Sequence, residues 1–64
     1  MYNAFEFKIL AAAGIARALG QAVYVLKLGD RYICSPVGAW LTCAVPVRAY
    51  KALVEVDGTV EYFN

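Results

Sequence analysis

The chain has no histidine. That removes both the commonest general base and the commonest metal ligand. Neither a Ser-His nor a Cys-His nucleophile pair can be assembled within one chain. Only two cysteines are present, Cys34 and Cys43. They are too few for a zinc site without histidine and too few for a disulfide-built secreted scaffold. Both are expected as reduced thiols, at least one of them packed as a small hydrophobe. Arg31 lies three residues before Cys34, but strand alternation would put the two on opposite faces, so no activated thiolate is predicted. Glycine is present without a phosphate-binding pattern: Gly14 and Gly20 do not make a fingerprint. Glu55 and Glu61 read as solvated charges on opposite faces of a hairpin, not as an acid–base pair. These absences predict a protein that is not an enzyme and takes no cofactor, metal or small-molecule substrate.

An excess of charge of one sign is missing too. Six basic residues face five acidic ones, for a net charge of +1. Such a balance gives no signature for nucleic acid or an anionic membrane. All six basic residues fall in residues 1–51, and the last thirteen residues carry three acids and no base. That asymmetry reads as two solvated faces of a soluble domain; the sharper alternative is head-to-tail or two-fold self-association. Long hydrophobic runs are lacking as well. The longest uncharged stretch, Tyr32 to Val47, is interrupted by Pro36, Gly38 and Pro46 and is shorter than the ~20 residues of a spanning helix. Ile9 to Ala16 follows Lys8 as a leader peptide's apolar stretch would, but Glu6 and Arg17 break that pattern. The expectation is a cytoplasmic protein with no membrane contact.

What the sequence does have is apolar side chains in surplus. Of its 64 residues, 62% are hydrophobic, against ~45–50% in an ordinary domain. A domain this small buries only about 60% of the surface its unfolded chain exposes. Some of the surplus must face water, a lipid or another chain; a partner is the expectation, and scattered exposed alanines and valines are the alternative.

The first element is predicted as a helix over Ala4 to Leu19. Asn3 is an N-cap with Glu6 three residues on to complete a capping box. Six alanines and two leucines favour the helix, and Gly20 ends it. Phe5, Ile9, Ala12, Ala16 and Leu19 recur at spacings of four and three, which marks one apolar face. Gly14 weakens the middle, where another backbone would pack close. A strand-like alternation over Phe5 to Ile9 is the competing reading of the start.

Two hairpins follow. Ala22 to Leu28 and Arg31 to Ser35 flank Gly29-Asp30, a type II′ turn that pairs Leu28 with Arg31 and Leu26 with Ile33. One face then carries Tyr24, Leu26, Leu28 and Ile33; the other carries Val23, Val25, Tyr32 and Cys34. Both are apolar, and one helix can cover only one of them. The uncovered face is expected to be that of Val23 and Val25. Ala39 to Val45 reads as a third strand ended by Pro46. Residues 47–52 fit a short helix or a strand start. Leu53 to Val56 and Thr59 to Phe63 flank Asp57-Gly58, a type I′ signal.

The predicted fold is α+β, a single domain in which one N-terminal helix packs on an antiparallel sheet of four or five strands built from two hairpins. The predicted function is a non-enzymatic protein-interaction module that self-associates, as a homodimer, through an apolar sheet face or edge. Its expected contact residues are Val23, Val25, Tyr32, Trp40 and Tyr62, with Trp40 and Tyr62 shared between core and interface. Two alternatives accompany it. One is a phage or mobile-element inhibitor or adaptor, anti-CRISPR-like, that binds a larger host complex. The other is a small nucleic-acid binder in which Arg31, Tyr32, Lys27, Arg48 and Lys51 would meet.

Overall fold

The computed structural model describes residues 1–63. Helix α1 runs Ala4–Leu19 and has the anticipated ends. The Asn3 side chain accepts from the Glu6 N–H at 2.8 Å, and Glu6 Oε1 accepts from the Asn3 N–H at 2.9 Å. Gly20 closes the helix at φ 71°, with its N–H donating to the Ala16 carbonyl at 2.8 Å. Strands β1 (Val23–Leu28) and β2 (Arg31–Pro36) form the first hairpin in the expected register, Leu28 opposite Arg31 and Leu26 opposite Ile33. Gly29 alone of the two turn residues has positive φ, as a type II′ turn requires.

The segment after β2 departs from expectation. Ala39 to Val45 is not a strand: Trp40–Ala44 is a short helix, α2, and Val47–Ala49 is a 3₁₀ turn. The reason is topological. The last hairpin, β3 (Tyr50–Val54) and β4 (Val60–Tyr62), docks on the far side of β1, so the sheet order is β2-β1-β3-β4. The chain must therefore cross one face of the first hairpin, and strand-favouring residues such as Trp40 and Thr42 yield to that need. Hydrogen bonds tie the crossover down. The Thr42 hydroxyl donates to the Pro36 carbonyl at 2.8 Å and shares a buried bond with the Ser35 hydroxyl at 2.9 Å. The Tyr50 hydroxyl donates to the Thr42 carbonyl. Residues 47–52 satisfy both earlier readings, a helical turn followed by a strand.

The sheet is an antiparallel, four-stranded one with α1 on a single face, an α+β fold. Helix α1 lies over β1, β2 and β3. Its Ala12 and Ala16 sit on Val23, Val25, Ala52 and Val54, and all six are fully buried. This overturns the placing of Val23 and Val25 on an uncovered face. Valines opposite alanines let the helix approach the sheet closely, so this is the face it takes. The crossover covers the other face, where Leu26 is fully buried and Tyr24 packs on Tyr50 with ring centroids 4.8 Å apart. A bulge in β3 makes that possible: Val25 opposes Ala52 while Leu26 opposes Tyr50, which turns Tyr50 toward the crossover.

The last turn is not type I′. Asp57 has no positive φ, Gly58 does at 92°, and the Gly58 N–H donates to the Glu55 carbonyl at 3.0 Å. This is a type I turn over Val56 and Asp57 followed by a glycine bulge. Val54 then pairs with Val60 and Leu53 with Glu61. Glu61 joins the side that Glu55 continues by alternation, not the opposite face, and both acids are exposed.

Candidate interaction surface

The expected contact residues separate into three groups. Val23 and Val25 lie at 0% exposure in the core and touch no surface. Tyr32 is half-buried, its ring 5.1 Å from Phe5, with the Lys27 ammonium 5.6 Å from its centroid. Phe5 also meets Tyr62 edge-on at 6.1 Å, so the row Tyr32–Phe5–Tyr62 spans the sheet beneath the start of α1. Tyr62 leaves 64% of its surface outside. Trp40 is 78% exposed at the start of α2 and is a surface residue, not a core one.

A further exposed apolar surface lies on the outward side of α1. Ala4, Phe7, Ala11, Gly14 and Ala18 recur at alternating spacings of three and four, the a/d seam of a helix–helix contact. All five are exposed, and Leu10 and Ile15 widen the band. Tyr2 packs edge-on against Phe7 with centroids 5.6 Å apart, extending it at the N-terminal end. No charge interrupts the seam. Glu6 and Arg17 share one flank and Lys8 lies on the other. Open grooves border it on both sides. One of about 650 Å³ runs between Lys8, Ile15 and β2, and one of about 400 Å³ runs between Phe5, Ile9, Leu10 and Tyr62.

The sequence carries a signal for this face: the helix lacks the polar outward side that usually accompanies an apolar inner one. The sixteen residues of the helix hold only three charges, Glu6, Lys8 and Arg17, with none between Lys8 and Arg17. The outer face is therefore apolar by default. The chain cannot hide this surplus by compaction. Its accessible surface of 4289 Å² is close to the roughly 4,000 Å² of a compact monomer of this mass.

Cys34 is half-buried against the core, and Cys43 is exposed; neither is fully buried, as one was expected to be. Burial pushes the Cys34 thiol up, with Lys8 opposing in part, and its Sγ donates weakly to the Lys8 carbonyl at 3.6 Å. Asp57 is held below its ordinary value by the Thr59 N–H, which donates to Oδ1 at 2.9 Å. Among the described residues no cluster of three metal-ligating side chains is present, and no helix is long and apolar enough to cross a membrane. The basic residues do gather in part: Lys27, Arg48 and Lys51 line one open groove of about 300 Å³ beside Gly29, while Arg31 lines a different one.

Comparison with protein-family models, with curated proteins and with solved structures finds no match.

Proposed function

We propose that the chain is a non-enzymatic protein-interaction module whose contact surface is the outward face of α1. One observation carries this reading: an uncharged seam from Ala4 to Ala18, with Phe7 59% and Leu10 51% exposed on a helix whose opposite face already forms the core. Exposed contiguous apolar surface of this kind is a recognised mark of a binding site. Helix-in-groove and helix-on-helix docking both use anchors at this spacing. The lack of histidine, the raised Cys34 thiol and the openness of the grooves support a role without catalysis.

The test compares wild type with Phe7→Glu. Phe7 points away from the core, so the variant is expected to keep its circular dichroism and melting transition. Cross-linking mass spectrometry, on the purified chain and in lysate, should lose its α1-centred cross-links to any protein. Cross-links that persist unchanged through α1 in Phe7→Glu would sink the reading.

A second reading, nucleic-acid binding, draws support from Lys27, Arg48 and Lys51 around one groove. It requires salt-dependent retention on heparin that a Lys27→Glu, Lys51→Glu double variant abolishes.

A further inference from the structure

Resting on the reading of α1 as the contact face, we infer that its partner is a second copy of the same chain, packed through α1 in an antiparallel, two-fold helix pair.

Three features of the helix converge on this occupant. The first is shape. The seam is bulky at one end and small at the other: Phe7 near the start, then Ala11, Gly14 and Ala18. An antiparallel copy lays each Phe7 ring over the shallow stretch between Gly14 and Ala18 of the other copy. A parallel pair would set Phe7 against Phe7 and leave glycine facing glycine across a gap.

The second is Gly14 itself. A glycine inside a helix is costly relative to alanine. Here it has no positive φ, and a methyl group built on it would meet nothing within 4 Å. Nothing within the chain requires the glycine. The close backbone approach that its sequence position implied is therefore supplied from outside.

The third is charge. Glu6 and Arg17 lie on the same flank of α1, eleven residues and ~16 Å apart. In a two-fold antiparallel pair, like flanks face each other. Glu6 of each copy then meets Arg17 of the other, twice, and Lys8 falls opposite Ile15, where its aliphatic stem covers apolar surface. Glu6 Oε1 holds the helix cap, which leaves Oε2 for the cation. Centring the ion pairs also centres the seam on Ala11, so shape and charge select the same register.

The experiment uses the full chain in sedimentation equilibrium across micromolar concentrations. Wild type is expected to be a dimer. Arg17→Glu places acid against acid at both ends and should weaken it about tenfold or more. Glu6→Lys does the same with bases. Mixing the two variants restores both ion pairs, so the mixture should associate where neither variant does alone. Glu6→Gln, which keeps the capping box, is the partner for Arg17→Glu if Glu6→Lys loses helix; that mixture restores one ion pair and should associate more tightly than Arg17→Glu alone. A wild type that stays monomeric throughout overturns the second copy as occupant, while Phe7-dependent cross-links to another protein or to an apolar surface would leave the α1 face standing. A dimer indifferent to Arg17→Glu, or a mixture that fails to associate, overturns the antiparallel register. A dimer that survives Phe7→Glu overturns the proposal and the α1 reading together.

Discussion

Helix α1 has two apolar sides with opposite fates. Its inner side, Ala12 and Ala16, is fully buried on Val23, Val25, Ala52 and Val54. Its outer side, from Phe7 through Gly14 to Ala18, faces outward. At the centre of the contact, alanines over valines let helix and strands close to contact distance, and Phe5 and Ile9, partly buried, pack against that cluster. The inner side forms the core and the outer side stays exposed.

The largest expected effect breaks the inner side. Val25→Asp places an unpaired carboxylate in a fully buried site, at a cost of about 4 kcal/mol or more. A domain of this length holds roughly 3–10 kcal/mol of stability. Urea denaturation should find the variant largely unfolded; a native-like melt that merely loses association would put Val25 at the surface after all. On the outer side, Gly14→Ala separates folding from association. It should raise the monomer's urea midpoint by about 1 kcal/mol of stability, since a methyl there meets nothing. It should weaken the dimer, because that methyl lies where the Phe7 ring of the second copy rests. Both quantities rising together would exclude close packing at Gly14.

The smallest effect serves as a reference remote from both sides. Asp57 has its carboxyl lowered by the Thr59 N–H. A depressed folded value means its contribution is present above the ordinary carboxylate pKa of about 3.9 and is lost as pH falls through the folded value. Stability should therefore decline slightly at low pH in wild type, and by less in Asp57→Asn. The side chain is exposed, so solvent screening keeps the difference small. A dimer whose affinity tracks this titration would connect the last turn to the interface, against the arrangement described.

Much of the fold was legible locally. The capping box of Asn3 and Glu6, the stop at Gly20 and the Gly29-Asp30 hairpin are each decided by a few neighbouring residues, and each appears as read. The last turn was misread because Asp-Gly serves both a type I′ turn and a type I turn with a glycine bulge; the choice shifted Glu61 by one register position. The candidate site was less legible. Trp40 and Tyr62 are expected from the sequence to be shared between core and interface, and both lie exposed; Val23 and Val25 are expected on the uncovered face because alternation separates the faces of a hairpin without saying which one a helix will take.

The sequence by itself determined the helix, its ends, the first hairpin and the surplus of apolar side chains. All are set by short-range hydrogen bonding, side-chain spacing and composition. Only the tertiary structure decided where the surplus came to rest. The docking of β3 beside β1 drew Trp40–Ala44 across the sheet as a crossover, which covered one face of the first hairpin, while α1 closed over the other. With α1 and the crossover each packed on one face of the first hairpin, the back of α1 remains as exposed apolar surface.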